Sequence, residues 1–134
     1  MANRILLVDD EHEFVELLQY RLDGRGFEFL VATSGLEALN QARRHLPDLI
    51  LLDILLPDLD GLSVCEILRR QPSTRTIPVI LMSALQGQVT RQATATLADD
   101  FFTKPLDLDR LEARIRCLME RRVAPPAETT EPPE

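Results

Sequence analysis

The sequence has few aromatic residues, only two cysteines and no long apolar segment. Aromatic residues make up 4% of the 134 residues against 45% for all hydrophobic residues, so we expect an aliphatic core. Cys65 and Cys117 have no metal-binding or redox spacing, which favours free thiols, buried or half-buried, in a reducing compartment. The first apolar run, Ile5 to Val8, is too short for a secretory signal, and no stretch is apolar enough to span a membrane. A single-domain cytoplasmic protein is expected.

Basic residues are also in the minority. The chain has 15 Lys and Arg against 22 Asp and Glu, which gives a formal net charge of −7. Nucleic-acid backbones and anionic membranes are bound through clustered Lys and Arg. We therefore expect no direct nucleic-acid binding by this chain and no membrane partner.

Apolar runs alternate with amphipathic stretches along the chain. Several runs are continuously apolar, as in parallel strands covered on both faces. This alternation predicts an α/β fold: a doubly wound, five-stranded parallel sheet of the flavodoxin-like order 2-1-3-4-5, with helices on both faces. The predicted strands are 4–9, 27–32, 48–53, 77–82 and 99–102, and the predicted helices are 11–23, 34–46, 61–70, 87–96 and 107–122.

Local patterns set the predicted helix limits and buried faces. Ser34 and Glu37 have the spacing of a capping box, and Asp60 is placed to cap the third helix. The apolar faces are predicted to be Phe14, Leu17, Leu18 and Leu22 in the first helix, and Leu36, Leu39, Ala42 and Leu46 in the second.

Two parts of the chain have weaker patterns. The predicted helix 87–96 is rich in Thr and Gln, and two interpretations stay open: a weakly packed helix, or part of a partner or dimer surface. Residues 123–134 contain four prolines and no apolar periodicity, which predicts a disordered tail or linker after a domain at 1–122. The chain is either a domain that acts alone or one part of a longer protein.

Polar residues follow four of the predicted strands. Asp9 and Asp10 end the first, Asp53 the third and Ser83 the fourth, and Lys104 follows the fifth. In doubly wound sheets these ends meet at the ligand-binding edge. Neighbouring carboxylates repel one another, and a divalent cation relieves that repulsion; an oxygen-only ligand set suits Mg²⁺. A hydroxyl and an ammonium suit phosphoryl oxygens, so the pattern predicts nucleophilic attack by Asp53 on phosphorus.

The segments ILLVDDE, DLILLDILLPDLDG, PVILMSA and DDFFTKPLD resemble the receiver domain of response regulators in bacterial two-component signalling. The resemblance covers about residues 3–122. It implies a phosphorelay protein that receives its phosphoryl group from a histidine kinase or a phosphotransfer protein. The implied roles are Asp53 as phospho-acceptor; Asp10, Asp53 and the backbone carbonyl of Leu55 as Mg²⁺ ligands, with Asp9 acting through water; Ser83 and Lys104 as phosphoryl-binding groups; Phe101 as the aromatic switch; and a cis bond before Pro105.

The resemblance further implies that phosphorylation switches one face of the domain, formed by the helix 87–96, the fifth strand and the last helix. A homodimer through this face is an open alternative. Such a domain is not an enzyme for other substrates, because it catalyses only its own phosphorylation and dephosphorylation.

Three positions depart from the family's usual pattern. Leu97 stands where a Gly is usual, so we expect a rebuilt loop there. Leu55 and Leu85 stand where polar groups often guide a hydrolytic water, which predicts a long-lived aspartyl phosphate.

Three other functions remain as alternatives. A receiver that docks partners without being phosphorylated needs the same fold. A haloacid-dehalogenase-type phosphatase normally has a second Asp two residues after the nucleophile, where this chain has Leu55. A flavodoxin-like electron carrier needs a Ser/Thr/Gly-rich phosphate loop after the first strand, where this chain has acidic residues.

Overall fold

The apolar runs of the sequence form one parallel sheet. The structure, a computed structural model, describes residues 3–84 and 98–123. Its strands follow the order β2-β1-β3-β4-β5, and every pairing is parallel. The predicted doubly wound sheet is therefore confirmed, with its switch point between β1 and β3. The strands are β1 (Asn3–Val8), β2 (Phe27–Ala32), β3 (Leu49–Asp53), β4 (Val79–Ser83) and β5 (Asp100–Thr103).

Helices cover both faces of the sheet. The described helices are α1 (His12–Leu22), α2 (Gly35–His45), α3 (Gly61–Arg70) and α4 (Leu108–Val123). Apolar residues of α1 and α4 pack on one face, and those of α2 and α3 pack on the other. The predicted helix 87–96, Leu85, Leu97 and the tail 124–134 lie outside the described residues. No helix in the described ranges has the length and apolarity of a membrane span.

Consecutive strand residues enter opposite halves of the core. Ile5 and Leu7 of β1 belong to the cluster under α1 and α4, whereas Leu6 and Val8 belong to the cluster under α2 and α3. All four side chains are fully buried, and each contributes roughly 1.5–3 kcal/mol through burial. The two-sided cover explains why these strands are apolar at successive positions.

The helices bury somewhat different faces from those predicted. Leu17 is 49% exposed and Leu36 is 62% exposed, so both predictions of burial were wrong. Val15 and Ala38 are buried instead, whereas Leu18, Leu22, Leu39 and Ala42 are buried as predicted, so the buried stripes of α1 and α2 only partly differ from the predicted ones. Leu46 is also exposed, at 47%; it is the left-handed C-cap of α2 (φ 47°), where the chain turns away from the core.

Both predicted helix caps form. The hydroxyl of Ser34 accepts a hydrogen bond from the Glu37 amide (3.2 Å), and the Asp60 carboxylate accepts one from the Ser63 amide (2.9 Å). The Glu37 carboxylate bonds the amide of Thr33 (2.9 Å), one residue before the cap.

The two cysteines differ in exposure. Cys65 is buried on the inner face of α3, and burial raises the pKa of its thiol to about 11. Cys117 is exposed on α4, so the prediction that both thiols are buried or half-buried was wrong for this residue. The apolar face of α4 is made by Leu111, Ile115, Leu118 and Met119.

Candidate functional site

The strand register brings the predicted site residues to one edge of the sheet. Val8 pairs with Leu52 and Asp53 pairs with Met82, so Asp9 follows β1 at the level where Asp53 ends β3. Ser83 pairs with Thr103, the residue before Lys104. The carboxyl ends of β1, β3, β4 and β5 therefore share one rim, as predicted from the sequence.

Carboxylates crowd this rim. Asp9, Asp10 and Asp53 each place an oxygen within 4.8 Å of the others. Asp9 is fully buried, Asp53 is 5% exposed and Asp10 is exposed. Two unit charges at 4.8 Å repel by about 3.5 kcal/mol at an effective dielectric constant of 20. The cluster therefore needs positive charge close by.

Lys104 supplies part of that charge. Its Nζ lies 2.8 Å from Oδ2 of Asp9, 3.0 Å from Oε1 of Glu11 and 3.3 Å from Oδ2 of Asp53. The Lys104 side chain is only 13% exposed. Burial alone would lower the pKa of Lys104, but the hydrogen bonds to Asp9 and Glu11 and the nearby charges raise it well above its ordinary value. The ammonium is therefore charged at neutral pH.

The negative charge of Asp53 is only partly balanced by its surroundings. Burial and then the charge of Asp9 raise the pKa of Asp53, against the lowering effect of the Leu55 amide and Lys104. The Leu55 amide donates to Oδ1 of Asp53 (3.1 Å), and Lys104 donates to Oδ2. Asp9 has both oxygens engaged in the same way: Oδ1 accepts from the Glu11 amide (2.9 Å) and Oδ2 accepts from Lys104.

The loop after β3 is fixed to the sheet at Gly61. The Gly61 amide donates to the Ile54 carbonyl (2.8 Å). A Cβ at Gly61 would lie 2.3 Å from the backbone oxygen of Asp53, closer than any real contact. A residue without a side chain is therefore required beside the backbone of Asp53.

The same loop is also fixed to α2. The Asp58 carboxylate accepts hydrogen bonds from the amides of Gly35 (2.8 Å) and Leu36 (3.0 Å), at the N-terminus of that helix. These bonds lower the pKa of Asp58. Sequence reasoning missed this role, because an Asp in a loop gives no indication of a partner 23 residues earlier.

Ser83 and Phe101 lie on the face of the sheet that α2 and α3 cover, opposite to the face on which Asp53 lies. Leu81 pairs with Phe101 and packs in the cluster under α2 and α3, against which Phe101 also packs. Ser83 is two residues after Leu81, so strand alternation places its side chain on the same face. Asp53 is two residues after Leu51, which packs in the cluster under α1 and α4, so Asp53 falls on the opposite face.

An open pocket lies over this rim. The described residues that line it are Asp10, Glu11, Asp53, Leu55, Ala84, Lys104 and Pro105. Ser83 is fully buried, and its neighbour Ala84 reaches the pocket wall. The Lys104–Pro105 bond is cis, as the family resemblance implied.

A doubly wound sheet with acidic side chains and a lysine at its switch point is the arrangement that the family resemblance implied, and the comparisons with known proteins agree. Residues 5–116 match the family described as "Response regulator receiver domain". The chain belongs to this family, whose members are signalling domains that bind Mg²⁺ in the active site and interact with histidine kinases.

Individual relatives support the assignment. The chain is 46% identical to the response regulator PleD of Caulobacter vibrioides over 119 residues, which cover 88% of this chain and 26% of PleD. The receiver domain of a signal transduction histidine kinase from Syntrophus aciditrophicus has a TM-score of 0.85 at 34% identity, covering 92% of this chain and 95% of that one. The chain spans about a quarter to a half of the length of the curated relatives it matches.

A third relative bears on the metal. The receiver domain of the sensor histidine kinase PA1611 from Pseudomonas aeruginosa PAO1 has a magnesium ion coordinated in its active-site cleft. It has a TM-score of 0.79 at 29% identity and covers 89% of this chain and 98% of its own.

Proposed function

We propose that Asp53 accepts a phosphoryl group from a phosphohistidine of a kinase or phosphotransfer protein, or from a small acyl phosphate. One observation carries the proposal: the Asp53 carboxylate is nearly buried at the sheet rim, 3.3 Å from the ammonium of Lys104 and within 4.8 Å of the carboxylate oxygens of Asp9 and Asp10. A carboxylate in this position can act as a nucleophile, and the ammonium beside it can bind the oxygens of an incoming phosphoryl group.

The residues present fit a magnesium ion. The cluster consists of carboxylate oxygens, which Mg²⁺ prefers. Asp10 is exposed and Asp53 lines the open pocket, so both can be ligands together with the backbone carbonyl of Leu55. Asp9 has both oxygens bonded within the protein, which favours an action through water. When bound, Mg²⁺ supplies the positive charge that neutralises the carboxylates and the phosphoryl oxygens.

The transfer step requires little from the protein beyond position and charge. A carboxylate oxygen of Asp53 attacks phosphorus and forms an O–P bond. The bond from phosphorus to the donor nitrogen or acyl oxygen breaks, and the donor keeps that electron pair. Lys104 and the hydroxyl of Ser83 then bind the oxygens of the new phosphoryl group.

The signalling output depends on the face of the sheet that carries Ser83 and Phe101. Phe101 and Ser83 share that face, so a movement of Ser83 towards the phosphoryl group changes the space beside Phe101. We propose that this shifts an equilibrium between two arrangements of a surface that includes β5 and α4; its third part, the predicted helix 87–96, lies outside the described residues. A tenfold change in output needs about 1.4 kcal/mol, the size of one charge-assisted hydrogen bond.

The domain limits follow from this assignment. We propose a receiver at residues 1–122 followed by a proline-rich tail or linker; helix α4 ends at Val123, one residue beyond that predicted limit. The curated relatives are longer than this chain. We propose that the output belongs to a partner of this receiver or to a domain joined to it.

Intact mass spectrometry after incubation with acetyl phosphate and Mg²⁺ tests the proposal. The parent should gain one phosphoryl group, and Asp53→Asn should gain none. Asp60→Asn is the matched control: it is a nearby carboxylate, and Asn keeps the α3 cap, so this variant should gain one group as the parent does. Phosphorylation of Asp53→Asn, or none of the parent, would refute the role of Asp53. The same samples, followed over hours, measure the long lifetime predicted from Leu55 and Leu85.

A further inference from the structure

Lys104 is the only lysine in the chain. Helix α1 contacts it through Phe14. Besides its three carboxylate partners, the ammonium lies over the ring of Phe14, with Nζ 4.2 Å from the ring centroid. We infer that Phe14 is a positioning residue for Lys104, which it holds at the rim through a cation–π contact. The inference deepens the proposed function, because it assigns a residue outside the acidic cluster to the arrangement of the phosphoryl-binding lysine.

The geometry favours a strong contact. A cation is attracted to a ring face within about 6 Å of the centroid, and the attraction is stronger when water is excluded. The Lys104 side chain is 13% exposed, and the half-buried Phe14 packs in the cluster under α1 and α4. In the described part of the chain, the other two such contacts use exposed arginines, Arg110 over Phe102 and Arg116 over Phe27.

The ring performs a task that the carboxylates cannot. An ammonium has three N–H donors, and Lys104 has three carboxylate acceptors, of which Asp9 and Glu11 are closer than Asp53. A phosphoryl oxygen that binds Lys104 has to replace one of them. The ring face carries no full charge and does not require a hydrogen bond from one specific N–H group. It can therefore keep the ammonium in place while a hydrogen-bond partner is exchanged. Without the ring, Glu11, which is 64% exposed, would draw the ammonium towards solvent.

The contact can be measured without phosphorylation. Because Lys104 is the only lysine, protein labelled with ¹³C-lysine gives one set of side-chain NMR signals. Protons that lie over a ring face resonate upfield, so the Lys104 Hε signals should be upfield in the parent and should return to ordinary positions in Phe14→Leu. Phe29→Leu is the matched control, since Phe29 is a half-buried ring of the same cluster without a described cation contact, and it should leave the signals unchanged. Unshifted signals in the parent, or signals unaffected by Phe14→Leu, would overturn the inference.

Phosphorylation kinetics supply the functional test. Phe14→Leu should lower the rate of phosphorylation by acetyl phosphate about three- to tenfold, because the ammonium then occupies its position at the rim for a smaller fraction of the time. Phe14→Tyr, which keeps the ring, should retain the parent rate. A fluorinated phenylalanine placed at position 14 keeps the shape of the ring but weakens its negative face, so the rate should fall stepwise with fluorine number. A rate that follows size and ignores fluorine would overturn the positioning role.

These experiments separate this inference from the proposed function. If the parent is not phosphorylated, the role of Asp53 fails, while the lysine signals of the parent still decide whether the Phe14 ring lies against Lys104, without which the inference fails. If the parent is phosphorylated and Phe14→Leu matches it in both rate and lysine signals, only the inference about Phe14 fails.

Discussion

Replacing Lys104 by methionine should destabilise the metal-free protein strongly. Methionine keeps most of the side-chain volume but removes the ammonium that contacts Asp9, Glu11 and Asp53. The buried Asp9 and the nearly buried Asp53 then repel each other without a nearby cation. The perturbation therefore isolates the electrostatic contribution of Lys104 from its packing.

The magnitude follows from the distances. At an effective dielectric constant of 20, the attraction of Lys104 is about 6 kcal/mol to Asp9 at 2.8 Å and about 5 kcal/mol to Asp53 at 3.3 Å. The cost of burying the ammonium offsets much of this sum, and breaking one side of a buried pair typically costs about 3–5 kcal/mol. We expect a loss of about 3 kcal/mol in the free energy of unfolding at pH 7.

Urea unfolding in EDTA, repeated with Mg²⁺, is the assay. Added Mg²⁺ should restore more stability to Lys104→Met than it adds to the parent, because the metal takes over the missing compensation. Arg21→Met is the control: it breaks an ion pair with Asp109, which is 85% exposed, and should cost less than about 1 kcal/mol. If Lys104→Met has the urea midpoint of the parent in EDTA, Lys104 does not compensate the cluster and the electrostatic account of this rim is wrong.

Three further predictions concern single groups. The pKa of Asp53 is raised in the folded state, so the folded protein is favoured while Asp53 is protonated. This stabilisation is fully present below about pH 4 and is lost as the pH rises through the folded-state pKa. Asp53→Asn should therefore raise the thermal midpoint at pH 7 without Mg²⁺, and calorimetry should show this gain vanish below about pH 4; a gain independent of pH would contradict it. Gly61→Ala should destabilise by about 3 kcal/mol in urea, whereas Gly24→Ala, with φ 76° and nothing within 4 Å, should lose only about 1 kcal/mol. A thiol reagent at pH 8 should label Cys117 quickly and Cys65 only after unfolding, since the pKa of Cys65 is about 11; two fast thiols would show that α3 does not shield its cysteine.

The sheet and its rim could be predicted because they depend on order along the chain. Apolar runs alternating with helical periods define the layers, and the residues that end the runs, such as Asp9, Asp53 and Ser83, must meet where parallel strands end. No side-chain detail is needed for that step. The cis bond at Lys104–Pro105 could be expected only through the family resemblance.

Contacts between distant elements could not be predicted in the same way. The Phe14 ring was assigned to an apolar helix face, and nothing in the sequence places it beside an ammonium 90 residues later. The exposure of Leu17 and Leu36 depends on the rotation of each helix about its axis, to which a short apolar pattern is insensitive. Asp58 binds the N-terminus of α2 only because the loop and the helix meet in the folded chain.

The alternation of side chains at the rim has a mechanical consequence. Asp53 belongs to the half of the domain packed by α1 and α4, whereas Ser83 and Phe101 belong to the half packed by α2 and α3. A group bound by Asp53, Lys104 and Ser83 together would link the two halves of the domain at the edge of the sheet. Strain introduced at one point would then reach both helical layers, without any need for the strands themselves to bend.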